Sequence, residues 1–254
     1  MKILLIAAQT FKEIFKSKIL VNVLFLGLFL LIVTVVASEF SYGVAPKVAL
    51  DVGLGCLSLS LIGISIFLGA SLINNEIENR TLYMVISRPV GRMEFLFGKI
   101  LGLVGILAVN TICLSLFVLF SYVNLDGQWH YLIPWTIFFS FLESVIVLLV
   151  VILFSLLSGT IITVMMGICI FFAGHGIEGV KETMLYKLNG TVRTFIDIYS
   201  VLMPNLGKLN IKPFVLYDDL ISSSYLFNSF LYSLLWFGIL SVFSILIIRK
   251  KEFS

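Results

Sequence analysis

Apolar residues fall in long blocks along this chain, and the blocks are separated by short polar stretches. Six blocks, residues 19–38, 52–73, 100–123, 131–154, 156–173 and 226–248, are each about 20 residues long, enough for a helix rising 1.5 Å per residue to cross roughly 30 Å of hydrocarbon. Two other patterns differ from these. Residues 2–18 place Leu4, Ala8, Phe11 and Phe15 at helical spacing with Gln9, Lys12, Glu13 and Lys16 turned away, which predicts an amphipathic helix in the membrane interface. Residues 174–225 alternate apolar positions, Ile177, Val180, Met184, Leu188, Phe195 and Tyr199, with charges, and break at Gly190, Pro204 and Gly207. One or two amphipathic helices capping the outer face fit that segment, as does a re-entrant pair of half-helices. The expected fold is an all-α membrane protein in one domain, residues 1–254, with six spans, an interfacial helix at 1–18, a loop at 74–99 and a helical outer segment at 174–225.

Composition agrees with this pattern. The chain has 254 residues, 60% hydrophobic and 12% charged, where soluble domains carry about 25% charge. Its amino terminus does not read as a cleavable signal, because polar Gln9 and Thr10 follow the first apolar residues at once. Basic residues set the orientation. Lys2, Lys12, Lys16, Lys18, Arg80, Arg88, Arg92, Lys99, Arg249, Lys250 and Lys251 fall on one side of a six-span layout, which makes that side cytoplasmic and places both termini there. Lys181, Lys187, Arg193, Lys208 and Lys212 lie in the long outer segment, where charge has little influence on topology.

The inner loop carries the most information. Asn75 is a helix-capping type with Glu78 three residues on, and Glu76 and Glu78 suit the positive end of a helix, so a helix is predicted to start there. It would run through Thr81, Leu82, Val85 and Ile86 and stop near Arg88, because Pro89 disfavours helical geometry in the residue before it. Past Gly91 the chain becomes helical again through Met93, Glu94 and Phe95. A stiff charged elbow of this kind suits docking, since preorganised helices avoid an ordering cost.

The stretch NEIENRTLYMVISRPVGRMEFLFGK, residues 75–99, resembles the signature of permease subunits of type-two ATP-binding-cassette (ABC) exporters. The matching positions are Glu76, Glu78, Thr81, Pro89, Arg92, Glu94, Gly98 and Lys99; the small residue usual before the threonine is here Arg80. Layout and length are similar to single-domain permeases, some of them linked to maturation of copper enzymes. The resemblance implies a bacterial inner-membrane protein that pairs with a second permease copy or a paralogue. It also implies a cytoplasmic ATPase docked on Glu76, Ile77, Glu78, Arg80, Thr81, Leu82, Val85, Ile86, Pro89 and Arg92. ATP and Mg would sit on that ATPase, with no cofactor on this chain, and an extracytoplasmic partner is a further expectation.

Other chemistry is thin. GRMEFLFGKI, residues 91–100, has the wrong spacing for a phosphate-binding loop and lacks its serine or threonine. For an intramembrane serine protease, Ser158 lies at a hairpin tip, and His130 and His175 fall in or beside outer loops. Cys56, Cys113 and Cys169 show no metal or redox spacing. Nucleic acid is excluded by a net charge of only +3, with the basic groups gathered at a membrane border. Glu143, near the middle of the fourth span, supports an ion- or proton-coupled carrier as the alternative function. Burying it costs about 3 kcal/mol by insertion scales, while the surrounding Leu, Ile, Val and Phe return roughly 6 kcal/mol. Asn110 is the other polar residue deep in a span. Gly98, Gly102 and Gly105 permit a close helix approach, within the fold or to a second copy.

Overall fold

A computed structural model describes residues 2–16, 19–40, 44–78, 91–188, 190–217 and 221–250, and among them every regular element is helical. The helices are α1 (Lys2–Lys16), α2 (Ile19–Glu39), α3 (Ala45–Glu78), α4 (Arg92–Asn124), α5 (Leu132–Leu157), α6 (Thr160–Glu182), α7 (Met184–Leu188), α8 (Gly190–Leu202), α9 (Lys212–Leu216) and α10 (Ser223–Lys250), with a 3-10 turn at Leu206–Leu209.

Five helices, α3, α4, α5, α6 and α10, are long and apolar enough to cross a membrane. The first predicted span coincides with α2, a 21-residue helix whose described apolar stretch is Phe25–Ala37. Predicted and observed boundaries differ most at the fifth span: Ser158 and Gly159 both take extended backbone, so α6 starts at Thr160 and then continues to Glu182, well into the segment expected to lie outside. Long helices alternate in direction. Arg249, near the end of α10, donates from Nε and Nη2 to the sulfur of Met93 at 3.3 and 3.0 Å, which puts the end of α10 beside the start of α4. That end of the bundle also receives the last turn of α3 and the start of α1, and it is called here the basic end.

Lipid is as apolar as leucine, so close packing does the work that water exclusion does in soluble proteins. Small residues mark the contacts. A Cβ on Gly27 would lie 2.6 Å from the Phe117 ring, one on Gly53 2.8 Å from Val118, and one on Gly69 2.9 Å from Val151. α5 is the most buried helix, with Phe139, Leu148, Leu149, Val151 and Ile152 fully enclosed by α3, α4, α6 and α10. At the opposite end, the predicted Asp126–Gly127 turn forms with Asp126 at positive φ (58°), and Tyr122 closes it by donating to the Gln128 carbonyl at 2.7 Å.

The segment after α6 divides into two parts. α7 and α8 lie on the surface, and α8 buries none of its residues. The stretch from Pro204 to Val215 does the reverse: Leu206, Leu209, Ile211 and Val215 are at most 4% exposed and join the core.

Candidate functional site

α3 passes through Asn75 without a break, so Asn75 does not cap a new helix. Nothing between Ile73 and Glu78 stops one: glutamate is a good helix former and asparagine costs only a fraction of a kcal/mol. Glu76, Ile77 and Glu78 therefore form the last described turn of a 34-residue helix about 51 Å long, some 20 Å more than the hydrocarbon layer needs. Arg80, Thr81, Leu82, Val85, Ile86 and Pro89 lie outside the described residues. Arg92 opens α4, where the Gly91 N–H donates to Glu94 Oε2 at 3.1 Å and the Phe95 N–H to the Gly91 carbonyl at 3.0 Å. Residues 79–90 are thus flanked by a continuous long helix on one side and a capped helix start on the other.

Beside this entry sits α1. A Cβ on Gly98 would lie 2.7 Å from Ile6 Cβ and 3.0 Å from the Ile3 carbonyl oxygen; one on Gly102, 2.8 Å from Thr10 Cβ and 2.9 Å from the Ala7 carbonyl oxygen; one on Gly105, 3.2 Å from the Phe11 ring. The three glycines are the seat of α1, so they serve the fold. Contacts advance together along both helices, so α1 runs alongside α4 in the same direction. The face that α1 buries differs from the sequence expectation. Thr10 is 2% exposed, whereas Leu4 and Leu5 are exposed and Phe15 nearly half so. Apolar residues on α1 point both to α4 and away from it, because lipid as well as protein can receive them.

Glu143 is the centre of a polar layer. Ile66 on α3, Val151 on α5 and Gly167 on α6 meet at one level, since a Cβ on Gly167 would lie 2.8 Å from Val151 and 3.3 Å from Ile66. About 12 Å farther from the basic end, just over two turns along each helix, come Ser58, Glu143 and His175. His175 Nε2 lies 3.5 Å from Glu143 Oε1, an ion-pair distance if the imidazole is charged and too long for a good hydrogen bond. Lys212, carried in by α9, donates from Nζ to Ser58 Oγ at 2.6 Å. No direct ion pair joins Lys212 to a carboxylate among the described residues, but the charges of Glu143 and Asp51 act on it through space.

Depth follows from helix length. Glu143 stands about 17 Å along α5 from Leu132 and about 21 Å from Leu157, so Lys212 reaches the middle of the bundle. The 204–216 stretch packs into the helix bundle as a 3-10 turn and the five-residue α9, while α7 and α8 lie on the surface. Polar contacts tie the inserted stretch along its length. The Asn205 N–H donates to the Tyr232 hydroxyl at 2.7 Å, its side-chain amide donates to Glu178, and Tyr225 and Ser229 donate to the Lys208 carbonyl at 3.1 and 3.3 Å. Gly174 allows the approach, because a Cβ there would sit 2.7 Å from the Pro204 carbonyl oxygen.

Sequence reasoning located Glu143 and missed its partners. His175 belongs to α6 and faces Glu143, far from Ser158, whose hydroxyl bonds its own helix at the Phe154 carbonyl. Asn110 is 1% exposed, and neither polar atom of its amide has a hydrogen-bond partner among the described residues. The available signal for Lys212 was NLGKLNIKPFVL, residues 205–216, where two lysines four apart interrupt an otherwise apolar run.

No curated protein matches the chain. A family model described as ABC-2 membrane transporter related matches residues 34–168, more than half of the sequence. The match includes the whole 74–99 loop, α4, α5 and Glu143, and it ends before His175 and Lys212. Long apolar helices are what such a membrane subunit requires, and the chain belongs to the ABC-2 membrane transporter related family, as an integral-membrane permease subunit of an ABC transporter.

Proposed function

We propose that this permease works in an ATP-driven exporter, with its basic end and both termini cytoplasmic in a bacterial inner membrane, α2 as the sixth span, and a second permease copy or paralogue beside it. A separate ATPase supplies ATP and Mg and docks on the loop from Glu76 to Ile86, with Pro89 and Arg92 completing the elbow and α1 bracing it. One observation carries this reading: α3 runs unbroken past its apolar block to Glu78, so that Glu76 and Glu78 lie on its last described turn, and α4 restarts at a capped Gly91. A lever so anchored transmits force, whereas a topology-setting loop needs only lysines and arginines. Transmission also requires that the ATPase hold the loop differently in its different nucleotide states, since equal docking in every state moves nothing.

Glu76→Lys together with Glu78→Lys is the test. The doubly substituted permease should insert normally but lose copurification with its ATPase, or lose its stimulation of ATP hydrolysis. Unchanged association with unchanged hydrolysis overturns the docking role. A second reading, an ion-coupled carrier, draws on the approach of His175 to Glu143. Transport by the purified permease without any ATPase would favour it.

A further inference from the structure

The geometry points to an anion-accepting site at Lys212, reached from the outer face, that takes the carboxylate, phosphate or sulfonate group of a small solute. The argument begins with how Lys212 is held. An ammonium at mid-depth needs a counter-charge, and a four-carbon stem is flexible enough to bring it onto a carboxylate. Lys212 is placed otherwise. Among the described residues its one hydrogen bond is to the neutral hydroxyl of Ser58 at 2.6 Å, and no carboxylate lies within ion-pair distance. An ammonium has three donors, so two remain uncommitted. A purely structural pair would spend them on the carboxylate.

Glu143 completes the case from beneath. It is 2% exposed, its Oε1 has no hydrogen-bond partner, and its nearest neighbour is His175 at 3.5 Å. Glu143 thus lies at the level of Ser58, the Lys212 partner, without occupying the lysine's donors. Below this layer the core is apolar, with Ile62, Ile66, Val147 and Leu148 all buried. Above it, α3 carries Asp51 two turns from Ser58 on the same face, and exposure rises from buried Ser58 through half-buried Lys212 to exposed Asp51. Exposure of polar groups on this face thus rises toward the outer side. Asp51 repels anions at the mouth, but an exposed charge is screened by salt far more than a half-buried lysine. The outer orientation rests on the permease reading; the charge preference does not.

Cys56 is a native reporter, because it is half-buried on α3 two residues before Ser58, the partner of Lys212. With Cys113→Ser and Cys169→Ser, the full-length permease in right-side-out vesicles is treated from outside with a sulfonate-bearing or a trimethylammonium-bearing methanethiosulfonate. Each rate is divided by that reagent's rate on a small thiol in solution. Cys56 should react, with the anionic reagent favoured. Lys212→Gln should lower the anionic-to-cationic ratio by ~10-fold, equivalent to 1.4 kcal/mol, Lys212→Arg should keep it, and Glu143→Gln should raise it. A Cys56 that prefers the cationic reagent, or a ratio unmoved by Lys212→Gln, overturns the site. A Cys56 inert to both reagents from both faces also overturns it. If Cys56 reacts with the anion preference only when the reagents are supplied from the cytoplasmic face, the orientation fails and the site stands.

Discussion

The seat of α1 gives the sharpest quantitative expectation. At Gly102 a Cβ would stand 2.9 Å from the Ala7 carbonyl oxygen and 2.8 Å from Thr10 Cβ, and at Gly98 3.0 Å from the Ile3 carbonyl oxygen. Ordinary contacts begin near 3.4 Å, and backbone atoms cannot rotate out of the way, so α1 must retreat by about half an ångström for alanine and by more for leucine. Overpacking of this kind costs typically 1–3 kcal/mol. Taking about 2 kcal/mol, the ratio of seated to unseated α1 falls roughly 30-fold at 1.4 kcal/mol per factor of ten. Thr10, 2% exposed in the seat, reports the change when replaced by cysteine. Maleimide labelling of Thr10→Cys should speed up by tens of fold when Gly102→Leu is added. Gly105→Ala is the internal control, because its Cβ would meet only the edge of the Phe11 ring at 3.2 Å, which can turn aside. Equal labelling with and without Gly102→Leu, or an equal effect of Gly105→Ala, would refute the reasoning.

Three further expectations concern the inserted 204–216 stretch and its layer. Tyr232→Phe removes the acceptor of the buried Asn205 N–H and should lower stability by about 1–3 kcal/mol, read by chemical denaturation in micelles. Gly174→Leu should displace Pro204 and Leu206, exposing the 204–216 backbone to hydrogen exchange while α1 and α4 stay protected. Glu143→Gln keeps the shape of the side chain and should leave insertion and assembly intact; loss of assembly would show that the carboxylate is needed for folding itself.

Apolar run length read the spans because hydrocarbon thickness leaves few alternatives to a helix of about 20 residues. Faces were less legible. On α1 the residues that pack, Thr10 and Ala7 among them, are no more apolar than Leu4 and Leu5, which point away, and the informative signal was the glycine spacing on the partner helix. Asn75 misled because a capping residue with glutamate three places on is a local pattern, and the helix it sits in arrives from the preceding span. Lys212 could not be placed by its neighbours in sequence. Pro204, Gly207 and Pro213 read as loop punctuation, and only tertiary contact with Gly174, Ser58 and Tyr232 carries the stretch to mid-depth.

α4 links the two ends of this molecule. It is 33 residues long without a break, starts at the capped Gly91 and seats α1 over its first third; its far half meets α2 and α3 where Thr34 donates to Ser121 and Gly53 faces Val118. A displacement imposed at Arg92 would therefore travel along one stiff rod to the outer half. The polar layer belongs mainly to α5, α6 and α9, which are joined to the rod by apolar packing. Such a division predicts that unseating α1 and altering Lys212 act independently. The Cys56 reagent ratio should be the same with and without Gly102→Leu, since sites that share no partners usually add. A ratio shifted several-fold by Gly102→Leu would mean that the loop end and the polar layer move as one body, and that the force path runs through α5 as well.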